Sequence, residues 1–232
     1  ARADDTLMLV RRAEAAGYSA LVVTVDVPVH GVRLRSQQAG FVMPEHVRAV
    51  NLTGMSAAQT HYLQAQDSVI FQGFMADAPT WDDLAWLMSH CQLPVVVKGV
   101  LRADDAQALQ AMGVAAQVVS NHGGRALDGV PASLSVLPAI RAAVGADYPL
   151  LLDSGIRSGS DIFKALALGA NAVLIGRLQV YALAVAGALG VAHLLRTLRE
   201  ELELCMAQAG CATLADITPD LIHSSGNGDT PC

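Results

Sequence analysis

The sequence predicts an α/β chain in which βα units repeat around a parallel sheet. Three observations carry this. Short apolar runs alternate with helix-patterned segments along the 232 residues, as parallel strands joined by crossover helices require. The runs are apolar at consecutive positions, as in Val95-Val96-Val97 and Leu150-Leu151-Leu152, which suits strands buried on both faces. Five runs then turn polar at their C-terminal ends, at Asp26, Lys98, His122, Asp153 and Arg177. In a βα barrel that end of the strand carries the chemistry.

The elements follow in order. Leu7 to Ala16 has helical spacing in Leu7, Val10 and Ala13, and Gly17 ends it. Ala20 to Asp26 is the first strand, and Pro28 and Gly31 mark a loop that holds His30, Arg33 and Arg35. Residues 36–80 lack a sustained period, and Pro44, Gly54, Gly73 and Pro79 punctuate them. So long a connection in a compact domain is often a lid or binding loop, and Val69-Ile70-Phe71 with Phe74-Met75 is apolar enough to pack over something. Trp81 to His90 is helical, with Leu84, Leu87 and Met88 on one face. The strand Val95–Val97 ends at Lys98-Gly99, and Asp104 and Asp105 suit the first turn of the next helix. Gln117 to Ser120 is the third strand, Pro138 to Val144 a helix, and Leu150 to Asp153 the fourth strand. Asp161 to Leu168 is a helix ended by Gly169, and Ala172 to Ile175 is the fifth strand. The apolar run Leu178–Ala192 is shorter than the roughly 20 residues a membrane span needs, and reads as a buried helix. His193 to Ala209 is amphipathic, with Leu195, Leu198, Leu202, Cys205 and Ala209 in its apolar stripe.

Composition narrows the function. The chain is 53% hydrophobic and 16% charged, with a net charge of −6, and it has no basic cluster for nucleic acid. Cys91, Cys205, Cys211 and Cys232 show no metal or redox spacing, so inert thiols in a reducing compartment are expected. Paired metal carboxylates and nucleophile motifs are lacking, and no metal site is expected. The chain opens at Ala1 without a Met, which leads us to expect a processed or incomplete polypeptide.

The chemistry concentrates at the strand ends. In Ser120-Asn121-His122-Gly123-Gly124-Arg125-Ala126-Leu127-Asp128, His122 can exchange a proton near neutral pH and Arg125 offers a planar donor fork to a carboxylate. This reads as a base beside an anion clamp, the alternative being a glycine turn that carries a histidine. Lys98 can form a Schiff base, hold an oxyanion, or lie by an electron-rich ring; the plainer reading is a structural Lys–Asp pair. Asp153-Ser154-Gly155-Ile156-Arg157 runs into a helix, and Gly176-Arg177 ends the next strand. Both suit a phosphate. Asp26 is a candidate to orient His122.

The nine-residue stretch is similar to the SNHGGRQLD signature of the FMN-dependent α-hydroxy acid oxidases and dehydrogenases, the family of glycolate oxidase, flavin L-lactate dehydrogenase, lactate oxidase and mandelate dehydrogenase. Ala126 stands in place of the usual Gln. The resemblance runs from about Leu9 to Thr218. It implies an FMN-linked (β/α)₈ TIM barrel, incomplete here: the last five βα units are present in a single partial domain over 1–232, and the first three strands are absent. It implies His122 as the catalytic base with Asp26 its partner, and Arg33 and Arg125 on the substrate carboxylate. Lys98, Thr24 and Ser120 would contact the flavin, and Asp153, Ser154, Gly155, Arg157, Gly176 and Arg177 would surround its phosphate. Ser154 departs from the Gly of many members, and Leu178 from a Pro.

The function implied is oxidation of an L-2-hydroxy acid to the 2-oxo acid, with FMN as cofactor and oxygen or a quinone as electron acceptor. An inactive C-terminal fragment and an FMN barrel with isomerase chemistry are the competing readings. A homo-oligomer, tetrameric at full length, is expected, located in the cytoplasm or peripherally on the inner membrane.

Overall fold

The structure, a computed structural model, describes residues 3–29, 34–55 and 61–223, the Arg35 side chain apart. Its main elements are α1 (Ala3–Ala15), β1 (Leu21–Thr24), α2 (Leu34–Gln38), α3 (Trp81–His90), β2 (Val95–Val100), α4 (Ala103–Ala111), β3 (Ala116–Val119), α5 (Ser133–Val144), β4 (Leu150–Leu152), α6 (Gly159–Ala167), β5 (Ala172–Val173) and α7 (Arg177–Ala209). The expected alternation is present, and the strands are ordered β1-β2-β3-β4-β5 in one sheet. Chain order equals sheet order, as successive βα units produce. The chain divides into two compact units, Ala1–Val96 and Val97–Cys232.

In the first unit, α1 carries Asp4 and Asp5 in its first turn and Arg12 in its last, in line with the helix dipole. Gly17 follows with φ 78°. Glu14 accepts the Gln92 backbone N–H at 2.8 Å, and Arg12 donates to the Asn51 carbonyl at 3.0 Å and to its side-chain oxygen at 2.8 Å. A capping box between Thr80 and Asp83 starts α3, satisfying two of its orphan amides. Strand β1 is not buried on both faces: Val22 and Thr24 are exposed and Leu21 and Val23 half-buried. Its place at the sheet edge accounts for this. The 36–80 segment holds α2, a 3₁₀ turn at Val50–Leu52 and a π-helical turn at Val69–Phe74. Its apolar residues do not pack as expected; Val69, Ile70, Phe71 and Phe74 are all exposed.

The second unit holds most of the core. Val118, Val119, Leu150 and Leu152 are at most 2% exposed, so the central strands are as buried as their sequence predicts. In the β3–β4 pair, Gln117 lies opposite Leu150 and Val119 opposite Leu152. In β4–β5, Leu151 lies opposite Ala172. Helix α5 covers β3 and β4 with Leu137 and Ile140, both fully buried. It begins at Ser133, a turn before Pro138; proline favours first turns, which is why the sequence suggests a later start.

Helix α7 departs from expectation. Ala186 and Gly187 leave helical geometry, the latter with φ 58° and ψ −142°, so two helices meet at a kink. The apolar run before and across it is not buried: Val180, Tyr181, Leu183, Val185 and Leu189 are exposed. By length and composition alone Arg177–Ala209 could cross a membrane, but the kink divides it. Beyond the kink the amphipathic reading holds in part. Leu198 is buried, and Leu202, Cys205 and Met206 pack on Phe163, Cys211 and Ile217. Leu195 and Ala209 remain exposed. Arg196–Glu200 and Arg199–Glu203 pair along the wet face at 2.7 and 2.8 Å, as neighbours four apart on a helix can.

At the N-terminal end of β4 and β5, Arg141 stitches the turns together. Its guanidinium donates to the carbonyls of Gly145 at 2.6 Å, Tyr148 at 2.7 Å and Gly169 at 2.8 Å, and to Asn171 Oδ1 at 2.9 Å. Asn171 Oδ1 also accepts from Leu150 N at 2.9 Å. Helices α6 and α7 meet at Gly159, where an added Cβ would collide with the backbone of Leu202 and Glu201, while Gly159 N donates to Glu201 at 2.8 Å. Backbone on both sides cannot yield as a flexible side chain can, so Gly159→Ala is expected to destabilise the protein by about 3 kcal/mol. Chemical denaturation checks this; a loss under about 1 kcal/mol would show that the helices can separate.

Candidate active site

The C-terminal ends of β2, β3 and β4 are tied by one ion pair and one hydroxyl. Lys98 Nζ lies 2.7 Å from Asp153 Oδ2, with the two side chains 16% and 15% exposed. Ser120, fully buried, accepts from Lys98 Nζ at 3.1 Å and donates to Asp153 Oδ2 at 2.7 Å. The His122 backbone N–H also donates to Ser120 Oγ, at 3.0 Å. Parallel pairing makes this possible: with Val119 opposite Leu152, the next residues, Ser120 and Asp153, emerge side by side. The plainer reading of Lys98 is therefore present: it pairs with Asp153.

Burial opposes ionisation of Asp153. The hydrogen bonds from Lys98 and Ser120, the Lys98 charge and the Ser154 backbone N–H outweigh it, and hold the carboxyl below its ordinary value. Asp153 is thus a carboxylate at neutral pH, and its negative charge is taken up by Lys98.

The signature stretch leaves β3 in a left-handed turn. His122, Gly123 and Gly124 have φ of 56°, 67° and 71°. Left-handed backbone suits glycine, and histidine adopts it at a cost. Hydrogen bonds fix the turn from outside. Gly123 N donates to Ser154 Oγ at 2.9 Å, and the Gly123 carbonyl accepts from Arg177 Nη2 at 2.9 Å. Asn121 N donates to Ser133 Oγ at 3.1 Å, and Asn121 Oδ1 accepts from Gly124 N at 3.1 Å. A Cβ on Gly123 would lie 2.9 Å from Arg177 Nη2, the movable end of a long side chain, so the backbone angle rather than space favours glycine here.

Beside this turn is a cleft of about 370 Å³ lined by Gly123, Gly124, Ser154, Gly155, Arg157 and Arg177, among others. Asp161 also lines it, but its carboxylate accepts the backbone N–H groups of Arg157 at 2.9 Å and Ser158 at 3.1 Å. Those amides at the start of α6 are therefore spent on Asp161. The cleft's remaining positive character comes from two arginines, each with further N–H groups. This fits a phosphate: two guanidinium forks, a glycine wall that side chains would fill, and a size in the range of small-ligand sites.

The structure brings together Lys98, Ser120, Asp153, Ser154 and Arg177 with the signature turn, and puts Gly155 and Arg157 in the same cleft. Asp153 faces Lys98 and Ser120 rather than presenting a free acid to an anion. Arg125 and Gly176 are exposed and are not among the cleft-lining residues. Thr24, exposed at the end of β1, and Asp26, half-buried beyond it, belong to the first unit. Arg33 lies outside the described residues. Sequence reading missed Ser133, Asn121 and Asp161 as shapers of the turn and cleft. Only Asp161 left a readable signal, the capping pattern Ser158-x-x-Asp161.

Comparison with known proteins now decides the family. Residues 1–224 match the family described as FMN-dependent dehydrogenase. The chain belongs to that family. Its FMN-dependent relatives include a protein named L-lactate oxidase from Alicycliphilus denitrificans, 60% identical over 96% of this chain and 61% of the relative. Glycolate oxidase 1 of Oryza sativa subsp. indica is 44% identical over 94% of the chain and 60% of that protein. A solved mandelate oxidase mutant with (S)-mandelic acid superposes with a TM-score of 0.79 at 42% identity, covering 93% of this chain and 58% of that one. The chain therefore spans about 60% of the length of the curated relatives it matches. The resemblance seen in the signature is borne out, as is an α/β fold of the FMN-linked barrel kind.

The ion pair yields a prediction. Asp153 has a lower pKa folded than its ordinary 3.8, so its stabilisation is fully present above that value and is lost as pH falls through the lower, folded value. Asp153→Asn leaves Lys98 half-buried and unpaired, and is expected to cost about 2 kcal/mol at pH 7. Denaturation at several pH values should show this gap closing below pH 3.8. A gap unchanged by acid would mean that the charge of Asp153 is not what stabilises.

Proposed function

We propose that the protein oxidises an L-2-hydroxy acid to its 2-oxo acid with FMN, and that L-lactate is the substrate and oxygen the electron acceptor. The observation that carries the reading is the join of two features in one unit. The signature turn with His122 shares its hydrogen bonds with Ser154 and Arg177, which line the two-arginine cleft. A proton-exchanging group is thereby fixed to an anion site lined by two arginines. Three relatives named L-lactate oxidase stand at 60%, 50% and 49% identity, above glycolate oxidase 1 of rice at 44%, which supports lactate and oxygen.

FMN, when bound, supplies a two-electron acceptor. The chain's own residues do the rest. Arg157 and Arg177 hold the phosphate in the cleft. Lys98 stands at the strand ends, fixed by Asp153 and Ser120, and its third N–H donor would be the one to meet the cofactor. Arg125, with Arg33, binds the substrate carboxylate through bidentate hydrogen bonds. His122 takes the proton of the substrate hydroxyl, with Asp26 stabilising the imidazolium that forms. Oxidation removes two electrons and two protons from the hydroxy carbon and its oxygen; His122 holds one of those protons, and the other would leave with the electrons to FMN.

Adding FMN to the protein and titrating it anaerobically with L-lactate, glycolate and (S)-mandelate tests this. Bleaching of bound yellow flavin is expected first and fastest with L-lactate, and admission of air should restore the colour with release of hydrogen peroxide. Bleaching by none of the three would overturn the proposal. The His122→Gln variant is expected to bind FMN while flavin reduction slows by at least about 10³-fold. Reduction at the normal rate would sink the base assignment.

A further inference from the structure

The turn at His122 runs on into residues 125–130, which carry Arg125, and one side chain spans both. Asn121 Oδ1 accepts the Gly124 N–H at 3.1 Å, and Asn121 Nδ2 donates to the Pro131 carbonyl at 3.3 Å. The first bond closes the turn after His122; the second reaches ten residues ahead. Together they fix which way the amide points, since a flipped amide would set oxygen against the Pro131 carbonyl and N–H against N–H at Gly124. Asn121 is itself rooted. Its backbone N–H donates at 3.1 Å to the hydroxyl of Ser133, a buried residue at the start of α5.

The segment between the two anchors has little of its own to hold it. Among the described residues, 125–130 make one hydrogen bond, the local one from Gly129 N to Asp128 Oδ1 at 2.9 Å. Arg125, Leu127, Asp128 and Gly129 are exposed. A stretch with so few contacts opens readily unless its ends are tied. Here both ends, at Gly124 and Pro131, are tied to the same amide.

We infer that Asn121 is a positioning residue that sets Arg125 against His122. Through Gly124 it closes the His122 turn, and through Pro131 it clamps the far end of the Arg125 segment, so that the base and the carboxylate-binding fork keep one spacing. A hydroxy acid must meet both groups at once, and rate depends steeply on such alignment. An amide exchanges no proton, so the role is support. The inference rests on the functional reading above, in which Arg125 binds the substrate carboxylate and His122 takes the hydroxyl proton.

The test uses the FMN-loaded protein and follows anaerobic reduction of its flavin by L-lactate in wild type, Asn121→Ser, Asn121→Asp and Asn121→Ala. Serine keeps an acceptor near Gly124 but is too short for Pro131. Aspartate keeps the shape and the acceptor but has no hydrogen for Pro131. Alanine loses both bonds. Serine and aspartate are each expected to raise the half-saturating lactate concentration about tenfold, the scale of one hydrogen bond, and to leave the limiting rate within about threefold of wild type. Alanine should also lower the limiting rate by about tenfold or more. Hydrogen–deuterium exchange over 125–130 should quicken in all three, while FMN affinity, read by fluorescence quenching, should change by less than about threefold. A rise with aspartate alone would trace to its charge and overturn the inference. Limiting rate and half-saturation that worsen alike in all three variants would make Asn121 merely structural and overturn it. So would losses of FMN affinity as large as those for lactate, or an alanine variant with wild-type kinetics; each of these leaves the FMN reading intact. A wild type whose bound flavin no 2-hydroxy acid reduces would overturn both.

Discussion

The Lys98–Asp153 pair, bridged by Ser120, is the constraint on which the site depends. Three strands of a parallel sheet deliver their ends to one place, and hydrophobic strands make that place poor in water. An ammonium or a carboxylate left there alone would be costly. Together, 2.7 Å apart and sharing one hydroxyl, they neutralise each other and consume Ser120 in doing so. Everything nearby follows from that saturation. Ser120 has its second acceptor position filled by the His122 amide, so the chain must turn at His122. Gly123 must then find its partner on the next strand end, at Ser154.

The two ends of the central strands are built on different principles. At the N-terminal end Arg141 gathers the carbonyls of Gly145, Tyr148 and Gly169 and the amide oxygen of Asn171. Desolvation weakens its hold on the proton and the Asp147 charge partly offsets this, yet a guanidinium stays charged, and the oxygens it binds here are neutral. That arrangement consolidates turns and spends most of the donors that a ligand would need. At the C-terminal end, among the described residues, Arg157 and Arg177 each donate one bond to a carbonyl, of Ile156 and Gly123 respectively, and keep the rest of their donors. Both are exposed. The same residue type is locked at one end and left ready at the other, which is how a stability face differs from a binding face.

Much of this was legible in the sequence because period and position carry it. Trp81–His90 and the buried pair β3 and β4 follow from local pattern, and Gly17 stops its helix in left-handed backbone as expected. The signature was legible because histidine, two glycines and arginine in sequence contradict both helix and strand. What was not legible depends on edges and on partners. Val22 in β1 and Val185 and Leu189 in α7 are as apolar as any core residue, but they are 58%, 85% and 80% exposed, and no local pattern says which apolar run will be covered. The Ala186–Gly187 kink was hidden for a related reason: alanine and glycine here continue an apolar run without a break in composition. Ser133 and Asn121 shape the turn through bonds between residues far apart in the chain, or within a loop that has no period. The Lys98–Asp153 pair could be listed from sequence only as one of several fates for Lys98, since pairing across β2 and β4 is set by the register between strands.

Backbone strain points to the same place as the chemistry. Among the described residues, only His122 and Ser154 combine a side chain with positive φ, at 56° and 80°. Each such position costs on the order of 1 kcal/mol or more, and a glycine would avoid it. The two are not independent accidents, because the amide of Gly123, next to His122, is held by the hydroxyl of Ser154. Strain on one strand end is thus supported by strain on the next, and both are set against the fixed pair of Lys98 and Asp153. The imidazole and the hydroxyl are thus carried on the two strained positions, and Ser154 lines the cleft.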